Sequence, residues 1–291
     1  MDILHPWYVE MMNADEIRRA VRLALEEDIG AGDATTLATV PEKAVARAAM
    51  VAREPLVVAG LELAKAVFVE LSGSVRFEGR VSDGEQADPG RKLLEVHGPA
   101  RAILSAERVA LNFVQRLSGV ATLTAQFVEA VRGTRAKILD TRKTTPGWRV
   151  LEKYAVRCGG GQNHRFGLFD MVLIKDNHLN ALRFELPNPV AAAIQRARLA
   201  CPRLKVEVEA DDLEQVEQAA AAGADIILLD NMTPEQLRAA IKLVNHRAQT
   251  EASGGVNLAN VRTIAETGVD FISVGALTHS ARAVDIGLDF E

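Results

Sequence analysis

From Lys137 onward the chain falls into six short β-rich runs, each separated from the next by a helix-length segment: Lys137 to Asp140, Met171 to Lys175, Lys205 to Glu209, Asp225 to Asp230, Thr250 to Ala252 and Phe271 to Gly275. Strands that alternate with helices run parallel, because the crossover brings the chain back to the same edge of the sheet. The pattern predicts a (β/α) barrel of fewer than eight strands. Polar chemistry sits at the C-terminal end of every run. In order these ends carry Asp140, Arg142 and Lys143; Lys175, Asp176, Asn177 and His178; Glu207 and Glu209; Asp230 and Asn231; Glu251, Ser253, Gly254 and Gly255; Gly275, Thr278 and His279. The βα loops of a parallel barrel converge at that face, so these groups are expected to line one pocket.

A different texture precedes the barrel. Asn13 reads as a helix N-cap with Glu16 as its capping-box partner, and Ile17, Ala20, Val21, Ala24 and Leu25 form an apolar stripe that should end near Gly30. Strand-like segments follow at Ala44 to Val51, Pro55 to Ala59, Val75 to Val81 and Lys92 to Val96, with a helix from Leu61 to Leu71 among them. This irregular order predicts an α+β sandwich over residues 1–115, joined by a returning strand within 283–291, with the barrel over 116–282. Apolar spacing from Ser105 to Val131 predicts a long helix, broken near Ser118-Gly119. The 291 residues are 48% hydrophobic but only 4% aromatic, a mix suited to helices packed closely on a buried parallel sheet.

The net charge of −5 argues against nucleic acid as a partner. Cys158 and Cys201 have no zinc or disulfide spacing, which points to a reducing cytoplasm. The first twenty residues lack the pattern of an export leader, and no run reaches membrane-spanning length. Against this acidic background, Leu139 to His178 holds seven Lys/Arg and two His beside four Asp/Glu. Its cations interleave with Gly, Pro and Thr in place of helical spacing, as in a small-anion site; a salt-bridged surface loop is the alternative.

Alternation in Lys205 to Glu209 puts Glu207 and Glu209 on the inner face, where they must meet cations or a metal. Lys143, Lys175 and Arg142 are the candidates, with a purely structural ion-pair lattice as the competing explanation. The Gly-bearing loops Ser253-Gly254-Gly255 and Gly275-Ala276, leading into helices at Leu258 and near His279, suggest a phosphate cradle. Glu209 and Asp230 are the best acidic pair for Mg²⁺ shared with substrate oxygens, or else for ribose hydroxyls. No serine-histidine-aspartate or zinc arrangement is present, and a covalent nucleophile is not expected, with Lys143 or Lys175 as a Schiff-base candidate.

Seven ordered segments, DTRKTTPG, GGGQNHR, VLIKDNH, VEVEA, ILLDN, EASGG and VGALTHS, together with EEDIGAGDAT, ERVALNFVQRLSG and DIGLDF, resemble the quinolinate phosphoribosyltransferase family over nearly the whole chain. The resemblance implies transfer of phosphoribosyl from 5-phosphoribosyl-1-pyrophosphate (PRPP) to quinolinate, giving nicotinate mononucleotide, pyrophosphate and CO₂, a step of NAD biosynthesis. It implies a quinolinate site of Arg142, His164, Arg165 and Lys175, completed by Arg108 from the partner subunit of a homodimer. Lys143 would lie by the reacting centre. Glu209 and Asp230 would serve Mg²⁺ and ribose, while Ser253, Gly254, Gly255, Gly275 and His279 would hold the 5-phosphate, with Lys143 and Lys175 also facing PRPP. Alternatives are a paralogue acting on another acid, such as a molybdate-transport-associated relative, a non-catalytic sugar-phosphate sensor, and a Schiff-base aldolase.

Overall fold

The computed structural model describes residues 12–291. The residues at the extreme N-terminus, on which part of the expectation of no export leader rests, lie outside that range. The elements in chain order are α1 (Ala14–Ile29), α2 (Ala34–Thr39), β1 (Val45–Ala52), β2 (Leu56–Val57), α3 (Leu61–Leu71), β3 (Arg76–Gly79), β4 (Gln86–Ala87), β5 (Lys92–Pro99) and α4 (Ala100–Ala130). There follow β6 (Lys137–Leu139), α5 (Arg149–Cys158), β7 (Val172–Ile174), α6 (Asp176–Ala181), α7 (Pro189–Ala200), β8 (Val206–Ala210), α8 (Leu213–Ala221) and β9 (Ile226–Asp230). The chain closes with α9 (Pro234–Val244), β10 (Gln249–Ser253), α10 (Val261–Ala265), β11 (Phe271–Ser273), α11 (Ala276–His279) and β12 (Ile286–Phe290). Among the described residues no helix is long and apolar enough to cross a membrane.

Two compact units result. Among the described residues, the first comprises 12–125, 145–160 and 281–291. Its four-stranded antiparallel sheet has the order β12-β1-β5-β3, with β2 and β4 forming a separate two-stranded ribbon. β12 lies along β1 from Ala48↔Phe290 to Ala52↔Ile286, so the last residues of the chain complete the sheet of the first unit. α1 starts at Asn13, whose carboxamide oxygen accepts the Asp15 and Glu16 N–H groups at 3.0 and 2.9 Å. The expected capping box is absent: the Glu16 carboxylate takes the Arg19 guanidinium at 2.6 Å. The charged pair is one helical turn apart and easier to form than a bond back to the cap.

The expected break at Ser118-Gly119 is also corrected, because α4 is continuous for 31 residues. Those residues serve close packing. A Cβ on Gly119 would lie 1.9 Å from the Arg282 carbonyl oxygen, so glycine admits the passing backbone. The Ser118 and Thr122 hydroxyls accept the Ala59 and Val57 N–H groups at 2.9 Å each. The segment 145–160, which a contiguous 116–282 barrel would include, belongs to the first unit. Buried Glu152 accepts from Arg116 Nη2 at 2.7 Å and from the Thr145 N–H and hydroxyl at 3.0 and 2.9 Å. Tyr154 donates to Asp83 at 2.7 Å.

The second unit comprises residues 126–144 and 161–280. It holds six parallel strands in the order β6-β11-β10-β9-β8-β7, the α/β barrel architecture with fewer than eight strands. β9 is apolar up to Asp230, and β8 is nearly buried throughout, with valines on one face and Glu207 and Glu209 on the other. Asn188, Asp212 and Thr233 cap α7, α8 and α9, so each crossover helix starts where the polar βα loop ends. β6 and β7 are the two ends of the sheet order. Gln162 covers the β6 edge, donating to Ile138 O at 2.8 Å and accepting from Asp140 N at 3.1 Å.

Candidate active site

The strand ends of the second unit converge on a set of polar side chains. After β6, buried Asp140 accepts from Asn163 Nδ2 at 2.5 Å and from the His164 N–H at 2.9 Å. It ties the loop after β6 to the loop before β7, and so brings Arg142 and Arg165 together. Each guanidinium has a buried Nε with no acceptor among the described residues. Burial first, and the charge of Arg142 second, push the Arg165 pKa down from its ordinary value. Two cations that repel each other while their inner donors go unused form a site built for an anion.

Across the strand ends, Thr278 donates to the Lys143 carbonyl at 2.8 Å and so ties that loop to the one after β11. A Cβ on Gly275 would stand 3.1 Å from Lys143 Cδ and 3.2 Å from the His279 ring, so glycine lets both side chains close in. The helix start expected at Leu258 is corrected here, and the helix expected near His279 is present. α10 begins at Val261, three residues beyond Leu258, because Asn257 and Asn260 fold back on Gly255 O at 3.2 and 3.0 Å and hold the segment as turns. α11 begins at Ala276, directly after Gly275, and His279 is its last residue.

Gly254 has φ +95, and a Cβ there would meet Asn231 Oδ1 at 2.1 Å. The loops after β9 and β10 are therefore packed together, with Ser253 and Gly255 on one side and Asp230 on the other. Asp230 accepts from Asn231 Nδ2 at 2.6 Å. Burial, then the charges of Asp230, Asp176 and Asp212, raise the Asp211 pKa. Those four aspartates crowd negative charge at this end of the site.

Glu209 pairs with Lys175, as expected. Glu207 does not meet a lysine or Arg142: it pairs with His164, Oε2 to Nε2 at 2.9 Å. Two residues deeper along β8 than Glu209, it lies within reach of the imidazole and beyond the cations at the mouth. Glu251 of β10 joins this pair. His164, Glu207 and Glu251 have ligand atoms that all lie within 4.8 Å of one another, the one such group of three His, Cys, Asp or Glu among the described residues. Sequence reasoning noted Glu251 at a strand end without giving it a partner, and it missed Asp211. The signal for Glu251 was its alternation with Ser253; what it meets depends on strand order. Arg108 is exposed on α4 of the other unit.

The opposite end of the strands is a different place. An open cavity of about 680 Å³ there is lined by Arg135, Asp225, Lys242, His246, Gln249 and Asp270. Asp225 and Asp270 spend their oxygens on the Val206 and Thr250 N–H groups, at 2.7 and 2.9 Å, and brace strand starts. Such contacts at the bottom of a barrel serve stability.

The chain is similar to known proteins along nearly its whole length. Residues 33–118 match the quinolinate phosphoribosyl transferase N-terminal domain and residues 120–289 the C-terminal domain of the same family. The chain is 49% identical over 281 residues to the carboxylating nicotinate-nucleotide pyrophosphorylase of Mycobacterium leprae, covering 94% of this chain and 97% of that one. It is 43% identical over 279 residues to a probable enzyme of that name from Bacillus subtilis, covering 96% and 94%. Among solved structures, the nicotinate-nucleotide pyrophosphorylase of Francisella tularensis superposes with a TM-score of 0.90 at 39% identity, covering 96% and 98% of the two chains. That of Ehrlichia chaffeensis gives 0.89 at 41%, covering 96% and 99%. With both family domains matched in order, and its strand ends built as that order demands, the chain belongs to the quinolinate phosphoribosyl transferase family.

Proposed function

We propose that the chain transfers the 5-phosphoribosyl group of PRPP to the ring nitrogen of quinolinate, releasing pyrophosphate and CO₂ and leaving nicotinate mononucleotide. The observation that carries this reading is the Arg142–Arg165 pair, two half-buried guanidiniums with unused Nε donors opposite a glycine-rich and acidic wall. A planar dicarboxylate supplies the charge and the in-plane acceptors that such a pair lacks. Lys175, freed from or shared with Glu209, adds a third cation, and Arg108 of a partner subunit in a homodimer completes the dicarboxylate site. Relatives from Nicotiana glauca and Nicotiana tabacum, 42% and 41% identical, are named decarboxylating quinolinate phosphoribosyltransferases.

The 5-phosphate of PRPP fits the cradle of Ser253, Gly254, Gly255, Gly275 and His279, with Lys143 reaching from its edge toward the reacting centre. Asp230 and Glu209, with Asp211 and Asp176 at the same mouth, offer the hard carboxylate oxygens that suit Mg²⁺. When bound, that ion neutralises charge on the departing pyrophosphate. Glu209 and Asp230 face the ribosyl carbon as it becomes oxocarbenium-like, and their negative charge stabilises it. Lys143 and Lys175 draw the pyrophosphate oxygens away. Once the ring nitrogen is alkylated, its positive charge stabilises the electron pair left on the adjacent ring carbon when the carboxylate leaves as CO₂, and that carbon then takes up a proton from water to give nicotinate mononucleotide. Cations pressed against that carboxylate would oppose its loss, so the firm grip belongs on the carboxylate that is retained.

Incubating the purified chain with quinolinate, PRPP and Mg²⁺ should yield nicotinate mononucleotide. No product from quinolinate, with product from another acid, would overturn the assignment. Mixing Arg108→Ala subunits with Lys143→Ala subunits should restore part of the activity, because one site of the mixed dimer escapes both substitutions.

A further inference from the structure

One residue at the mouth of the strands stands in a backbone conformation that side chains rarely adopt. Asn231, directly after β9, has φ +52. Of the three non-glycine residues with positive φ among those described it is the one at this face; Asn245 and His246 line the cavity at the opposite end. Along an extended strand the side chains of Asp230 and Asn231 would point to opposite sides. The left-handed turn at Asn231 swings its carboxamide back, so that Nδ2 donates to Asp230 Oδ2 at 2.6 Å. This is the one hydrogen bond that the Asp230 carboxylate accepts among the described residues, and it sets the direction of the carboxylate.

The same side chain is seated on the glycine turn after β10. A carboxylate only accepts, so the amide nitrogen faces Asp230 and the amide oxygen faces Gly254, where a Cβ would stand 2.1 Å from Oδ1 and 2.5 Å from Cγ. The Asn231 N–H donates to the carbonyl of the preceding residue in that turn, Ser253, at 2.9 Å. Asparagine meets all three demands at once. It tolerates the left-handed backbone better than most side chains, its nitrogen donates, and its short stem lets the oxygen lie against a glycine.

We propose that Asn231 is a positioning residue for the sugar donor: its Nδ2–H aims the Asp230 carboxylate at the ribose, and its seat on Gly254 keeps that carboxylate in register with the 5-phosphate cradle. The two groups then act as one rigid gauge of the span from phosphate to ribose. A ligand that has the phosphate but no ribose does not feel it. This rests on the reading of Asp230 and the Ser253-Gly254-Gly255 turn as the PRPP site.

Inorganic phosphate and ribose 5-phosphate, titrated against the full chain by ³¹P NMR without Mg²⁺, separate the two ends. The parent should bind ribose 5-phosphate more tightly than phosphate. Asn231→Gly keeps the left-handed backbone and the N–H to Ser253, so phosphate affinity should stay within about twofold, whereas the preference for ribose 5-phosphate should fall at least about fivefold. In Asp230→Ala there is no carboxylate to aim, and adding Asn231→Gly should change the preference by less than about twofold. Equal losses of both ligands in Asn231→Gly, or the same fivefold loss with Asp230 already removed, would overturn the proposal. So would a parent with no preference for ribose 5-phosphate.

The seat on Gly254 is tested without any ligand. Gly254→Ala should lower the melting temperature through both its strained φ of +95 and the collision with the carboxamide. In an Asn231→Gly background only the strain and a 3.0 Å approach to the backbone nitrogen of residue 231 remain, so the fall should be smaller by about 3 °C or more. Equal falls in the two backgrounds overturn the coupling. A parent that prefers ribose 5-phosphate yet forms no nicotinate mononucleotide from quinolinate and PRPP would sink the functional reading, and the two mutant cycles would then decide this inference alone.

Discussion

Replacing Arg165 by methionine should separate binding from stability, because the two respond in opposite directions. Among the described residues the guanidinium gives one hydrogen bond, Nη1 to Met171 O at a long 3.3 Å, and keeps a buried Nε without an acceptor. Burial first, and the like charge of Arg142 second, lower its pKa and outweigh the Glu207 and Asp170 charges that raise it. A long neutral-acceptor bond contributes at most about 1 kcal/mol, while a buried unsatisfied donor costs about 1–3 kcal/mol, so methionine of similar volume should leave folding unchanged or improve it by up to about 2 kcal/mol. At about 2–4 °C per kcal/mol for a unit of this size, the melting temperature should stay level or rise by several degrees. Binding loses two charge-assisted bonds to a carboxylate, about 3 kcal/mol or more, which raises the quinolinate KM at least about a hundredfold. Differential scanning fluorimetry and initial rates at saturating PRPP read the two effects. A melting temperature lowered by more than about 5 °C, with the quinolinate KM unmoved, would refute this and make Arg165 a structural residue.

Gly119→Ala should destabilise the chain by about 2 kcal/mol or more despite the better helix propensity of alanine, since the Cβ would meet the Arg282 carbonyl at 1.9 Å; chemical denaturation measures it. The Glu54 carboxyl is held down to about 2, first by the Arg282 guanidinium and then by the Asp285 N–H, against 4.5 for the free group. A lowered folded pKa stabilises above the free value, so that contribution should fade as pH falls from about 4.5 toward about 2, earliest around the entry to β12, and the amide-exchange protection factors of residues 285–290 should fall first in that window. Asp230→Asn should raise the Mg²⁺ concentration needed for half-maximal turnover about tenfold or more, with quinolinate affinity in equilibrium dialysis little changed.

Much of the site was legible before any fold was known, because it depends on local rules. Glu209 faces inward since side chains alternate along a strand, and it reaches Lys175 since both stand at the ends of neighbouring strands. Gly275 abuts Lys143 and His279 for the same positional reason. What stayed hidden involves partners chosen across the barrel. Nothing near Glu207 in the chain announces Glu251, which is 44 positions on and two strands away. Helix punctuation misled in the same fashion: Gly119 reads as a break in isolation, whereas its missing side chain makes room for a backbone more than 160 residues later.

The sequence by itself determined the succession of strands and helices, the polar residues at each strand end and the family, because hydrophobic period, turn chemistry and motif order are written in neighbouring positions. Only the tertiary structure decided that residues 145–160 pack with the first unit, that Asp140 draws Arg142 and Arg165 into one place, and that Glu207 meets His164. Those outcomes depend on strand order and register, which bring distant positions within 3 Å of one another, and on the cost of leaving a buried charge unpaired, which selects among the partners that proximity offers.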